Sequence, residues 1–397
     1  MNHKLFIFFI FVFSLFLNDC SETNQPPVTI APENSSPKKT APSSEKVEVP
    51  VSKDLLLTSL FLSGKLQLEE SNQLGEITRS TAYKNFKESI RKNWNQYLKQ
   101  TLTPLQEWRK KYVPKNDSRV VFYPFSGPDF SNAYYLYPEA DTYIMVGLEA
   151  GGFEPDIANL PKGKVEQGLR EFLSSLDSIT RLNFYMTKKM KSNISASIFQ
   201  GTAPSFLAYF GLMGIRPCSL KSIVLDENGN IQYLTPEDIQ KNPRLKKGFV
   251  SLEIIFNDPV TGKNKFLYYF SKNISNDGLK SDDSVLKFVA KKGRFVSSFK
   301  AASFLVHYAH FSRFRDFILD NADLIVMDDT GPPIKYLKKN FDIKVFGKYT
   351  RPIRLWPNMY QSELTELHKQ QKPPSISFKY GYGTLHYTQH IMIATRK

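Results

Sequence analysis

The chain of 397 residues carries 53 Lys and Arg against 38 Asp and Glu, a formal net charge of +15. Only two cysteines are present, Cys20 and Cys218, which excludes a disulfide-stapled secreted scaffold. No apolar stretch after residue 20 has the roughly 20 residues a membrane-spanning helix requires.

The first elements in chain order concern export. Residues 1–19 read as a signal peptide: Lys4 precedes thirteen residues, Leu5–Leu17, that are apolar except Ser14. Leu17 stands three residues before Cys20, the spacing expected of a thiol that is diacylated and becomes the mature terminus, although Asn18 and Asp19 are not the small residues usual there. An uncleaved membrane anchor is the alternative. Residues 20–53 form the lipidated cysteine and a Pro/Ser-rich tether: six prolines and no aromatic follow Cys20. Such a stretch cannot bury enough apolar surface to offset its ordering entropy, and in the polyproline limit it reaches roughly 100 Å.

Residues 54–397 are expected to form a single globular domain. Its fold class is mixed α/β: a central mixed sheet flanked by helices, an N-terminal helical layer over 54–115, and antiparallel hairpins in the middle. In the helical layer Tyr83, Phe86, Ile90, Trp94 and Leu98 recur at three- and four-residue spacings, and Pro104, preceded by Thr103, is read as a break and the first turn of a following helix. A strand over Val120–Phe125, a loop with Gly127 and Pro128, a short helix capped by Asp129, and a strand over Thr142–Leu148 follow. Helices are expected at 165–180 and 204–214. Two hairpins come next, the first turning at Asn228-Gly229. Residues 282–292 and about 297–320 have helical period, LIVMDD at 324–329 is a short strand, and a helix at 362–371 is expected. FDIKVFGKY, SISFKYGYG and HIMIATRK are the last strand candidates.

Asp329-Thr330-Gly331 matches the signature of aspartic proteases, but that chemistry needs two such loops sharing a proton. Only one Asp-Thr-Gly is present, preceded by a helical pattern, so a protease would have to dimerise; the favoured reading is a strand ending at Met327 and a turn at Gly331-Pro332-Pro333. A broader pattern remains. Asp129, Glu149, Asp328 and Asp329 each follow an apolar strand, and in a parallel sheet the carboxyl ends of strands share one edge. Four carboxylates meeting there could perform glycosidase-like hydrolysis or hold a hard cation. The alternative is that each is an isolated loop residue serving a local turn. Lys300, Arg313 and Arg315 could neutralise these acids or meet an anionic ligand.

No GxGxxG follows the first strand and Pro128 removes a backbone donor, so no nucleotide cofactor is expected, although a degenerate Rossmann-like fold without one stays open. His307, His310, His386 and His390 show no recognised zinc spacing, and no metal or other cofactor is expected. Ser126 has no identifiable base. Cys218 reads as a small buried hydrophobe.

The segments FYPFSGPDF, VGLEAGG, KAASFLVHYAHFSRFR, VMDDTGPP and FGKYTRPI together resemble an uncharacterised family of exported bacterial lipoproteins, the kind found in spirochaetes. The similarity covers most of residues 80–397. It implies a lipid-anchored place in the cell envelope, at the outer membrane or its periplasmic face, and supplies no catalytic residues. Two functional expectations follow. One is a binding module whose basic, aromatic-rich surface meets anionic polysaccharide or lipid head groups, with no nucleic acid partner. The other is a carboxylate-dependent hydrolase in the periplasm or at the cell surface.

Overall fold

A computed structural model describes residues 48–68, 72–177, 179–180, 199–383 and 389–397. Cys20, most of the tether, the basic run at 188–191 and His386 lie outside them.

Ten strands form one sheet: β1 (Val120–Tyr123), β2 (Thr142–Gly147), β3 (Arg216–Leu225), β4 (Ile231–Tyr233), β5 (Ser251–Asn257), β6 (Asn264–Ser271), β7 (Phe295–Phe299), β8 (Ala322–Met327), β9 (Phe341–Gly347) and β10 (His390–Arg396). Their spatial order is β4-β3-β5-β6-β2-β1-β7-β8-β10-β9. The five central strands, β6-β2-β1-β7-β8, are parallel. Antiparallel strands extend the sheet on both sides, β5, β3 and β4 beyond β6, and β10 beyond β8. The mixed α/β class expected from the sequence is what the molecule adopts.

The central strands are nearly continuous apolar runs because both faces are covered, as parallel sheets require. Alternation sorts them: Val121, Tyr123, Tyr143 and Met145 face one core, while Phe122, Ile144 and Val146 face the other. The main helices are α1 (Lys53–Leu62), α2 (Thr81–Tyr97), α3 (Thr103–Tyr112), α4 (Phe130–Leu136), α5 (Lys162–Asp177), α6 (Ala203–Met213), α7 (Ser284–Lys291), α8 (Ser312–Asn321) and α9 (Ser362–Gln371). Helices α3, α4 and α6 pack in the first core, and α7, α8 and α9 in the second. The N-terminal layer contributes a third core: Tyr83, Phe86, Ile90 and Trp94 of α2 meet Leu169 and Phe172 of α5 and Tyr209 on the back of α6. That double use of α6 explains why its sequence is apolar all round.

Three expectations are corrected. Pro104 sits in the first turn of α3 as expected, where its missing N–H costs nothing, but it marks no break: a π-helical turn at Leu98–Leu102 joins α2 to α3. The helix expected over 297–320 exists only as α8. Phe295–Phe299 is instead a central strand, paired to β1 and β8, and two 3₁₀ turns follow. SISFKYGYG is not a strand: the backbone carbonyls of Ile376 and Phe378 accept from the Gln389 side chain, and the segment stays irregular.

Helix α3 is fastened to the far edge of the sheet by Trp108. Its ring meets Phe346 of β9 edge-on at 5.2 Å and Phe378 at 5.9 Å. Trp108→Ala is expected to cost about 3–5 kcal/mol in urea unfolding with an unchanged m-value, the range for deleting a buried aromatic.

Candidate functional site at the carboxyl edge of the parallel strands

Strand order reverses between β1 and β7: β2 and β6 lie on one side of β1, and β7 and β8 on the other. Such a switch point opens a crevice at the carboxyl ends of the strands, the usual ligand position in open α/β sheets. The loops leaving β1, β2, β7 and β8 carry Asp129, Glu149, Lys300, and Asp328 with Asp329. All four acids therefore do share one edge, yet none is more than 5 % exposed.

Asp129 stands at the N-cap position of α4 but makes no side-chain cap bond. Its carboxylate instead turns across the switch point to Lys300, Nζ to Oδ2 2.5 Å. Tyr123 donates its hydroxyl to the same oxygen at 2.9 Å, and Asn132 Nδ2 donates to Oδ1 at 2.8 Å. The Asn132 amide also reaches the Tyr97 hydroxyl at 2.7 Å, which ties the site to α2. Burial lowers the Lys300 pKa, while the charges of Asp129 and Asp328 oppose that shift.

Asp328 is held by its neighbours' backbone. Ala301 N–H donates to Oδ2 at 2.9 Å, Thr330 N–H donates to Oδ1 at 3.0 Å, and the Thr330 hydroxyl also bonds Oδ1. Burial nevertheless raises its pKa above the ordinary carboxylate value. Asp329 faces another way. Its N–H donates to His390 Nε2 at 3.0 Å, and its carbonyl accepts from Gln361 Nε2 at 3.0 Å. His390 Nε2 is also 3.6 Å from Asp329 Oδ1, but a nitrogen that accepts from an N–H carries no proton, so this contact is not an ion pair. Asp329 Oδ2 has no hydrogen-bond partner. Burial first, and then the charge of Asp328, push the Asp329 pKa well up.

Glu149 sits one strand further along, its Oε2 accepting from the Tyr269 hydroxyl at 3.2 Å. Gly147 permits this approach, since a Cβ there would lie 2.5 Å from both Glu149 Oε2 and Tyr269 Oη. The two arginines belong elsewhere. Arg315 is buried against the Tyr336 ring, 3.9 Å from its centroid, and donates to Val306 O; Arg313 is exposed on α8. Of the three basic residues considered, Lys300 alone meets an acid of this edge. His307, pushed down to about 4 mainly by burial, sits with Nε2 2.9 Å from Gly331 O and 3.1 Å from Asp329 O. Those two acceptors assign the Nε2–H tautomer, a bracket that stiffens the Asp-Thr-Gly turn.

Tyr97, Tyr123, Asn132, Thr330 and His390 thus belong to the site although sequence reasoning did not assign them to it. Of these, Thr330, through the Asp-Thr-Gly triplet, and His390 drew attention as sequence features. Backbone strain concentrates at the same place. Phe125, Ala301, Ser303 and Phe304, with φ of 53–56°, are four of the five non-glycine residues at positive φ among the described residues. Each costs on the order of 1–3 kcal/mol and persists only where the surroundings impose it.

Chemically, the edge as it stands is an internally satisfied network. Two surface grooves, one lined by Asp54, Phe61 and Glu154 and one by Asn95, Lys99 and Glu107, contain none of these acids. No group of three His, Cys, Asp or Glu among the described residues could hold a metal ion. Among the described residues no helix is long and apolar enough to cross a membrane. No protein-family model, curated protein or solved structure matches the chain.

Two stability measurements check this geometry. Lys300→Met leaves Asp129 buried without its cation and is expected to lose about 3–5 kcal/mol; adding Asp129→Asn recovers most of it. Asp329→Asn works in the opposite direction. An acid whose folded pKa is raised contributes stability that is full below its unfolded value and lost as pH rises through the folded one. Asp329→Asn is therefore expected to stabilise the fold at pH 7 by on the order of 1 kcal/mol, with the gain vanishing as pH falls below about 4.

Proposed function

We propose that the protein is a lipid-anchored envelope protein whose folded body binds anionic polymers through a basic face where α3 lies on the edge strand β9. The anchor reading rests on Leu5–Leu17, Cys20 and the proline-rich stretch that follows. The observation that carries the binding reading is a juxtaposition of two basic segments. Residues 79–115 hold ten Lys or Arg against two acids, and residues 335–397 hold twelve against three. In the chain they are far apart. In the fold the Tyr112 ring packs 4.7 Å from Phe346, with Lys111 Nζ 4.9 Å from the centroid of Tyr112. Lys344 and Lys348 flank Phe346, and both are exposed, as are Lys110, Lys111 and Lys115. A phosphate- or sulfate-bearing chain laid along this edge meets cations on both elements.

Lysines on an edge strand also block unwanted strand pairing, a purely protective role. The two roles separate experimentally. Lys110, Lys111, Lys344 and Lys348 replaced together by Ala should weaken binding to dextran sulfate about tenfold, at 0.2–1 kcal/mol per exposed ionic contact. A protective role predicts self-association in gel filtration with polymer retention unchanged. The hydrolase reading has less support, because its four acids turn inward and none is more than 5 % exposed. The anchor is checked by growing cells with labelled palmitate: label is expected on the wild type and lost in Cys20→Ser.

A further inference from the structure

Between α9 and β10 the chain crosses the carboxyl edge as an irregular segment, residues 375–383. Its first half is pinned: Gly347 N–H donates to Pro374 O at 2.8 Å, and Gln389 Nε2 donates to Ile376 O and Phe378 O at 3.0 and 2.5 Å. Beyond these pins the segment touches the site at a few points. Gly381 lies so close to Asp328 that a Cβ would stand 1.7 Å from Oδ2, and its φ of +60° suits glycine. The backbone of Tyr382 hydrogen-bonds the Asp328 carboxylate, and its hydroxyl is 3.2 Å from Ser303 Oγ. The Tyr382 ring packs on Trp356 at 5.2 Å, and Trp356 packs on Phe304 at 5.6 Å.

The contacts converge on one loop. Residues 300–304, leaving β7, hold three of the positive-φ residues: Ala301, Ser303 and Phe304. Ala301 is held through Asp328, Ser303 through Tyr382, and Phe304 through Trp356. Asp328 and Trp356 thus touch both the segment and the strained loop, and Tyr382 joins the two directly. The segment's own Tyr380 is fully buried, its hydroxyl within reach of the charges of Asp328 and of Asp129, the partner of Lys300.

We propose that residues 375–383 are a lid over the switch-point crevice, latched by Asp328, and that lid and β7 loop open together as one two-state unit. Opening breaks the Ser303–Tyr382 contact directly, takes from Trp356 the ring that backs it against Phe304, and takes from Asp328 the partner that closes it over Ala301, so the strain in the loop is released as the lid lifts. It admits solvent and small polar molecules to Lys300 without separating any strand of the sheet. This inference is independent of the basic face and of the lipid anchor.

Hydrogen exchange read by mass spectrometry on the purified full-length chain tests it. In Gly381→Ala the new methyl collides with the latch. Exchange over 375–383 and 299–304 is expected to rise together by at least tenfold, while β2, β6 and β10 keep wild-type protection. Lys300 should become acylated by a succinimidyl ester that leaves it untouched in the wild type. Tyr382→Phe deletes a single hydroxyl and spares the fold; it should raise exchange in both segments about threefold. Exchange that rises in the lid alone, in neither segment, or across the whole sheet would overturn the proposal.

Discussion

The Asp129–Lys300 ion pair is the constraint on which the arrangement of the carboxyl edge depends. It joins the loops that leave β1 and β7, the two strands at which the parallel sheet turns from one half to the other. A buried pair of this kind is a poor source of stability, since desolvating both charges costs about as much as their attraction returns. Its effect is positional. With Tyr123 and Asn132 sharing the carboxylate, and Asn132 bonded on to Tyr97, a polar chain runs from the β7 loop to the N-terminal helical layer. Three layers are thereby brought into register at one point.

Closure of the edge follows from that register. Once Asp129 turns to Lys300, it no longer caps α4, and once Asp328 gathers the N–H groups of Ala301 and Thr330, the loops after β7 and β8 are locked to each other. The loop between them is held in left-handed backbone by these bonds, not by glycine. Strain at non-glycine positions is most often retained where a site must switch or bind. The unpartnered Asp329 Oδ2, buried beside an acid of like charge, adds a second unfavourable group at the same edge. Stability alone accounts for neither feature.

Much of this was legible in the chain. The apolar runs of β1, β2 and β8, the Asn228-Gly229 turn and the shared edge of the four acids could be read because strand period and turn chemistry are local signals. What could not be read is long-range. Phe295-Val-Ser-Ser-Phe299 has an aromatic at i and i+4, a helical spacing, and becomes a strand only because β1 and β8 are waiting on either side. In SISFKYGYG the alternation is real: Ile376, Phe378 and Tyr380 all face the core, but the carbonyls of Ile376 and Phe378 are taken by the Gln389 side chain and not by a neighbouring strand. Lys300 and Asp129 are 171 positions apart, so their pairing has no local trace.

The fold also changes the meaning of the net charge. Among the described residues, folding buries six acids (Asp129, Glu149, Glu253, Asp258, Asp328 and Asp329) but only three bases (Lys265, Lys300 and Arg315). Among the described residues burial thus withdraws three more acids than bases from the solvent-facing surface. At physiological ionic strength that field is screened within about 8 Å, so a uniform basic shell would attract polymers only weakly. Local density decides. The packing of Tyr112 on Phe346, an apolar contact, sets cations of two distant segments side by side, well inside what a screened field can bridge. Recognition of an anionic chain would then rest on aromatic packing as much as on charge.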